Sequence, residues 1–332
     1  MSNPPVNRGP LPEIAAGFWA PRVLHVAVKL EVFTRLSGRP LDLEGAARAL
    51  GIQLRPAGRL LNACVALGLL EKEEGIYRNS ALAEEFLVQG KPSYYGHFVS
   101  SMEALYREWV ELEQAVRENG PVHRTRERWD EDREFARAFT LAMRDKSVGS
   151  GRLLAEHLGE RLARARRLID VAGGSGMVAV ELAEFSPSLE AVVFDLPLVC
   201  EAAQEVIAGS PAASRVKVHP GDLRQGLPRG FDLAILSSIL HALGVETCRA
   251  LVRETFECLN PGGCIAILEC LLNQEKSGPP YPALFALNML LMTEEGDVYT
   301  GGEIRGWLEE AGFREIAERP FAGPVSLVTG VK

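Results

Sequence analysis

The stretch RLIDVAGGSGMVAVELAEF, residues 167–185, decides the fold. Its first six residues form a short run that is apolar at Leu168, Ile169, Val171 and Ala172 and holds no Gly or Pro, as expected of a strand buried on both faces. The run ends in Gly173-Gly174-Ser175-Gly176, and a helical pattern then continues to Phe185. Strand, glycine loop and helix in that order open a βαβ unit. Working outward, residues 189–196 (LEAVVFDL) read as a second strand ended by Pro197, followed by a helix around 200–208. Residues 215–219 make a third strand leading into Gly221-Asp222, and residues 231–240 (FDLAILSSIL) a fourth. A helix over about 245–259, a turn at Pro261-Gly262-Gly263 and a fifth strand over 264–272 follow. Helices near 283–292 and 302–310 then precede residues 313–320 and 326–331, which read as a terminal antiparallel pair. Short strands alternating with helices specify an α/β, Rossmann-like, mostly parallel sheet.

Upstream of this region the style changes. From Trp19 to about Arg166 nearly everything reads as helix, with apolar residues such as Leu60, Leu61, Cys64 and Val65 at three-to-four spacing. Residues 43–50 and 55–67 form two short helices around Gly51, and residues 68–71 and 75–78 form a small β-wing, the layout of a winged helix. A helix that reads a DNA groove needs polar and basic groups along its outer face. Residues 55–67 carry only Arg55 and Arg59, while Leu60, Leu61, Val65 and Leu67 are apolar. Packing or dimerisation therefore fits this helix better than DNA. The expected division is 1–105 for a winged-helix-like dimerisation domain, 106–166 for a helical bridge contributing to a pocket, and 167–332 for the sheet domain. The change of style falls in the charged stretch 159–167.

Composition sets outer limits. A length of 332 residues is about twice the usual domain size. A 47% hydrophobic and 24% charged composition excludes a disordered chain. The net charge of −8 argues against a whole-chain nucleic-acid binder, which neutralises phosphates with Lys and Arg. None of the six cysteines lies in a C-x-x-C pair or at zinc-ligand spacing from a histidine, so no metal site is expected and scattered reduced thiols are. No basic start with an apolar run marks a secretory signal, and the most apolar stretch, residues 282–292, is shorter than the ~18 residues of a membrane span. A cytoplasmic enzyme with no membrane partner is expected.

The glycine loop lets a ligand approach the backbone. Asp195, 22 positions beyond Gly173, stands at the tip of the second strand, where a carboxylate can accept from both ribose hydroxyls. Residues 174–179 also match the dinucleotide pattern G-x-G-x-x-G/A, so a nicotinamide cofactor has to be weighed. Asp170 stands just before the loop, however, and its charge would repel a pyrophosphate. Asp222 ends the third strand, placed to accept from an adenine amine. Three acids around one crevice favour a cationic sulfonium cofactor, S-adenosylmethionine (SAM), over an anionic dinucleotide.

With these residues in view, the chain resembles the caffeate/acetylserotonin (plant-type) class of SAM-dependent small-molecule O-methyltransferases along essentially its whole length. The resemblance rests on DVAGGSG, VVFDLP around Asp195, Gly221-Asp222, LSSILH ending at His241, LNPGG over 259–263 and LEEAGF near the end. It implies a seven-stranded sheet with a reversed last hairpin, a homodimer formed through the N-terminal domain, and SAM bound by Asp170, Gly173, Gly174, Gly176, Asp195, Leu196, Gly221, Asp222, Leu223 and Ser237. It also implies that His241, ending the fourth strand, is the general base and that Glu269 orients it. An imidazole can take a phenol proton near neutral pH as the oxygen attacks. The implied acceptor pocket lies between domains, with Phe139, Met143, Met177, Phe285, Asn288 and Met292 as candidates. Trp19 and His97 are candidates for reaching across from a partner subunit.

The chain departs from the family pattern twice. The family follows its histidine with Asp-Trp, and here the pair is Ala242-Leu243. A second acid normally lies in a Gly-Gly-x-Glu-Arg segment. Counting back from Ala311-Gly312-Phe313, that position falls near Val298, which leaves Asp297 or Glu295 as substitutes. The leading expectation is a SAM-dependent O-methyltransferase acting on a hydroxyl of an aromatic or polyketide-like small molecule. The alternatives are a SAM-binding homologue turned to C- or N-methylation or to non-methylating chemistry, a SAM-sensing winged-helix regulator, and a nicotinamide oxidoreductase.

Overall fold

The computed structural model describes residues 8–122 and 131–332. It divides into two compact units, one up to Leu105 and one from Tyr106 to Lys332. The helices of the 106–166 stretch therefore belong to the same unit as the sheet.

In the first unit, Asp42 caps helix Leu43–Leu50 by accepting from the Gly45 N–H at 2.7 Å. Gly51, left-handed at φ 66°, ends that helix, and helix Leu54–Ala66 follows. Strands β1 (Leu70–Glu73) and β2 (Ile76–Asn79) pair antiparallel across Glu74 and Gly75, both at positive φ, as a tight hairpin requires. Tyr77 is buried beneath the hairpin, and its hydroxyl donates to Asn62 of the preceding helix at 2.8 Å. Around it Phe33, Leu61, Cys64 and Leu70 form a separate apolar core. Arg55 and Arg59 are exposed.

The second unit is built on a seven-stranded sheet of order β5-β4-β3-β6-β7-β9-β8. The strands are β3 (Arg167–Val171), β4 (Glu190–Asp195), β5 (Val216–Pro220), β6 (Phe231–Ser237), β7 (Leu259–Cys270), β8 (Arg314–Ala322) and β9 (Val325–Val331). β3 through β7 pair in parallel, and β9 runs antiparallel between β7 and β8, the reversed terminal hairpin expected from the sequence. Both faces of the sheet are covered. Leu168, Val193, Ile235 and Ala266 lie in one buried cluster and Ile169, Leu236, Ile265 and Val328 in the other. Alternate residues of one strand thus feed opposite cores, the period-two rule of a doubly covered sheet. The chain leaves β3 toward β4 on one side and β6 lies on the other. This places the switch point of strand order, where such sheets bind ligands, at the carboxyl ends of β3, β4 and β6.

Two boundaries in the central strands differ from the sequence reading by several residues. The fourth strand stops at Ser237, because Ser238 turns left-handed at φ 58°, and His241 lies on a short 3-10 turn, Leu240–Ala242, beyond the strand. The LNPGG segment is drawn into β7 rather than preceding it, with a bulge opposite Phe231–Leu233. Among the described residues no helix is long and apolar enough to cross a membrane.

Candidate active site

The glycine loop is shaped by its own neighbours. A Cβ on Gly173 would lie 2.6 Å from the Asp170 carboxyl carbon, and one on Gly221 would lie 2.5 Å from the Phe194 ring. Gly174, at φ 55°, faces open space, so its backbone is what a ligand would meet. Gly176, at φ 70°, opens helix Met177–Phe185, and the Met177 N–H at its start donates to Ser175 Oγ at 3.4 Å. Asp195 ties the loop down from the next strand. Its Oδ2 accepts from the Gly174 N–H at 2.8 Å and its Oδ1 from the Leu196 N–H at 2.7 Å. The Gly221 N–H in turn donates to the Asp195 carbonyl at 2.9 Å. The ends of β3, β4 and β5 are thereby laced into one rim. Ser237 closes it at the end of β6, one residue beyond the Val171–Leu236 pairing. Asp222 uses Oδ1 to accept from the Arg224 N–H at 2.9 Å, which fixes its side chain at this rim.

Asp170 is the most exposing observation about the ligand. It is 1% exposed, and neither carboxylate oxygen has a hydrogen-bond partner. Burial, and then the charge of Asp195, push its carboxyl up to about 7. Asp195 is partly exposed, and desolvation still pushes it up to about 6 against its two amide bonds. Two acids held above their usual range around an open glycine turn are short of positive charge. A cationic ligand with ribose hydroxyls supplies what they lack, and a pyrophosphate does the reverse.

The second half of the site lies beyond β6. The His241 Nδ1 is 2.7 Å from Glu269 Oε2, on β7. Glu269 Oε1 accepts from the Leu240 N–H at 2.8 Å and the His241 N–H at 3.4 Å, so one carboxylate holds both the backbone and the ring of the turn. Glu269 is 3% exposed. An ionised carboxylate only accepts, so Nδ1 carries the proton and Nε2 is left as the basic nitrogen. The Phe285 ring packs edge-on against the imidazole at a centroid distance of 4.9 Å.

Of the acceptor candidates, Phe285, Asn288 and Met292 lie on helix Pro280–Met292, Phe139 and Met143 on helix Arg133–Ser147, and Met177 at the start of the helix after the glycine loop. Sequence reasoning missed Trp109. Its indole N–H donates to Asn288 Oδ1 at 2.9 Å. Indole nitrogen only donates, so the amide must turn its oxygen to Trp109 and keep its two N–H groups free. No spacing or motif signals a contact between residues so distant in sequence. Trp19 is 66% exposed, and His97 packs edge-on against Tyr94 at 5.1 Å.

The expected substitutes for the second acid are not at the imidazole. The Asp297 carboxylate accepts from the Val298 N–H and lies 3.9 Å from Lys276 Nζ. Glu295 is exposed and lies against Gly244. Val298 is fully buried with Cys270 and Leu272, a site with no room for an ionised group lacking partners. Tyr299, next along, was also missed. It is 3% exposed, and its hydroxyl donates to the Leu243 carbonyl just beyond the histidine turn. The count back to Val298 pointed one residue away from it.

A doubly covered sheet of this order, with a glycine loop, rim acids and a carboxylate-held histidine, defines a Rossmann-like fold with a ligand crevice at its switch point. Comparison with known proteins places it further: residues 109–314 match the O-methyltransferase domain model and residues 13–89 the O-methyltransferase dimerisation domain model. The chain belongs to the O-methyltransferase family, with SAM as its cofactor. It is 37% identical to 3-hydroxy-5-methyl-1-naphthoate 3-O-methyltransferase of Streptomyces sahachiroi, over 99% of this chain and 97% of that protein. It is 34% identical to the tetracenomycin polyketide synthesis 8-O-methyl transferase TcmO of Streptomyces glaucescens, over 98% and 97%. Human N-acetylserotonin methyltransferase, solved in complex with SAM, superposes with a TM-score of 0.89 at 26% identity, covering 100% of this chain and 99% of that one.

Proposed function

We propose that the protein methylates a hydroxyl of an aromatic, polyketide-like small molecule, with His241 as general base and Glu269 as the group that orients it. The observation that carries this reading is the 2.7 Å contact between His241 Nδ1 and Glu269, which leaves Nε2 to take the hydroxyl proton. SAM supplies an already activated methyl group on a sulfonium. Asp195 suits its ribose, Asp222 its adenine and Asp170 its positive charge, while Gly173, Gly174, Gly176 and Gly221 leave the backbone open to it. Leu196, Leu223 and Ser237 complete that crevice.

The acceptor lies against Phe139, Met143, Met177, Phe285, Asn288 and Met292. Phenylalanine rings and pliable methionine side chains suit an aromatic ring, and the free Asn288 N–H groups suit a second oxygen on it. A hydroxyl losing its proton to His241 as it attacks needs in-line alignment with the sulfonium, so positioning contributes much of the rate. Residues 1–105 act as a winged-helix-like domain that joins two copies in a cytoplasmic homodimer, residues 106–166 as a bridge that helps form the pocket, and residues 167–332 as the catalytic domain. A dimerising role for the first unit is supported by its match to the dimerisation model and by the few basic groups on helix Leu54–Ala66.

The test is His241→Gln, with calorimetry against SAM and mass detection of S-adenosylhomocysteine and methylated product from a hydroxynaphthoate. SAM affinity within twofold of the parent and turnover reduced at least 100-fold are expected. Turnover retained at the parent rate removes His241 as base.

A further inference from the structure

We infer that Tyr299 is a positioning residue for the base: its hydroxyl fixes the carbonyl end of the turn that carries His241, the end where Ala242 and Leu243 bring no hydrogen-bonding side chain. The inference rests on the methyltransferase reading above for its kinetic consequences, and on geometry alone for the clamp.

The turn has two ends. Glu269 holds the first through the Leu240 N–H, the His241 N–H and the ring. The other end leaves toward Ala242 and Leu243, whose side chains have no hydrogen-bonding group. Within Ala242 and Leu243 the polar handle is the backbone, and the Leu243 carbonyl accepts from the Tyr299 hydroxyl, while the Glu295 carboxylate lies one residue on, against Gly244. The Cys248 thiol also approaches this turn, 3.3 Å from the Leu240 carbonyl and 3.7 Å from that of Leu243, but a thiol is a weak donor. Gly296 packs directly against the middle of the turn, where an added Cβ would lie 2.5 Å from the His241 carbonyl oxygen.

Tyr299 is itself held rigidly. Its carbonyl accepts from the Leu272 N–H at 3.0 Å, just past the end of β7. Thr300, next to it, caps helix Gly301–Ala311 in a reciprocal capping box with Glu303. The Tyr299 ring meets Trp307 of that helix edge-on at 4.8 Å, and Lys276 Nζ lies 5.9 Å above the ring. Both jaws of the clamp therefore rest on one support. Glu269 projects from β7, and Tyr299 is bonded to the backbone three residues farther along the same stretch of chain. A base held this way keeps the imidazole in register with Glu269 by fixing its backbone at both ends, where a second carboxylate would act on the ring. Supporting groups of this kind set the geometry on which a positioned base depends.

The test compares Tyr299→Phe with the parent as the full-length protein. The substitution removes only the hydroxyl and keeps the ring against Trp307. With SAM and a hydroxynaphthoate acceptor, kcat should fall 5- to 30-fold while KM for SAM stays within twofold. Independently of turnover, the Nδ1 proton of His241, assigned by its absence in His241→Gln, should exchange with solvent at least tenfold faster. In Glu269→Gln/Tyr299→Phe the two losses should not multiply, since both act on one histidine.

Parent-like kcat and parent-like proton exchange in Tyr299→Phe would overturn the inference, as would full multiplication of the two losses. If Tyr299→Phe does not fold, Trp307→Phe, which loosens the same ring, should give the same pattern at 2- to 5-fold. Parent-like behaviour there overturns it equally. If the parent itself shows no turnover of any hydroxynaphthoate, the acceptor reading fails, and proton exchange alone decides the clamp.

Discussion

Replacing Glu269 with Gln tests the centre of the site with the least structural disturbance. The parent carboxylate accepts from two backbone N–H groups and from His241 Nδ1. A glutamine oxygen can still accept from Leu240, where the donor lies 2.8 Å away, so the backbone of the turn keeps its anchor. The amide nitrogen then faces Nδ1 and can only donate. Nδ1 must give up its proton to accept that bond, and the proton moves to Nε2, the nitrogen needed as base. The same carboxylate-to-amide change in a serine-protease triad, by the same tautomer logic, costs about 10⁴ in kcat. General-base catalysis contributes about 10²–10⁴. A 10²- to 10³-fold loss of kcat is expected, equivalent to about 3–4 kcal/mol at 1.36 kcal/mol per tenfold. SAM affinity should stay within twofold, because the rim acids Asp170 and Asp195 belong to β3 and β4. The assay is product formation by mass, with a series of phenols of falling pKa. The loss should shrink toward the most acidic phenols, which ionise without help. A variant that keeps kcat within threefold on a weakly acidic phenol, or loses it equally across the series, would refute the tautomer argument.

Other consequences concern the rim and the acceptor helix. Asp170 and Asp195 have folded-state pKa values near 7 and 6, above their ordinary value, so the folded chain binds more protons than the unfolded one in that window. Their contribution to stability is present below about pH 4 and is lost as pH rises through 6 and 7. The ligand-free protein should melt higher at pH 5.5 than at pH 8 on their account. SAM favours the ionised acids, so its affinity should rise over the same window with release of protons, measured by calorimetry in buffers of different ionisation enthalpy. Asp170→Asn should raise the melting temperature of the ligand-free protein at pH 8 and weaken SAM binding at least tenfold. Lower stability with unchanged affinity would show that the orphaned carboxylate is not there for the cofactor. Trp109→Phe frees the Asn288 amide to rotate, and one hydrogen bond is worth about 0.5–1.5 kcal/mol. KM for an oxygen-bearing aromatic acceptor should rise about 2- to 10-fold with SAM affinity unchanged, and an unchanged acceptor KM would show that the amide does not face it.

Much of the fold could be read from local sequence. The 167–176 stretch announces strand and loop because an apolar run followed by glycines has few other uses, and Asp195 follows because a strand tip has a fixed distance from the loop it neighbours. The boundary of the fourth strand was not legible. Ser238 takes a left-handed conformation that its residue type does not signal, and this moves His241 from a strand end to a separate turn. The pairing of His241 with Glu269 was legible only through resemblance, since residues 28 apart become neighbours when β6 and β7 align in register.

The sequence by itself determined the alternation of strands and helices and the glycine loop with its acids, because each depends on residue type and short spacing, whereas His241 stood out only through the family resemblance. Tertiary structure alone decided what holds the His241 turn and what Asn288 pairs with. Val298 lies in an apolar cluster, Asp297 turns to Lys276, and Tyr299 reaches the Leu243 carbonyl. Trp109 fixes the sense of the Asn288 amide from 179 positions away. Such contacts depend on how distant segments pack and on which lone pair or proton each group has to offer. Neither quantity is present in the linear order of residues.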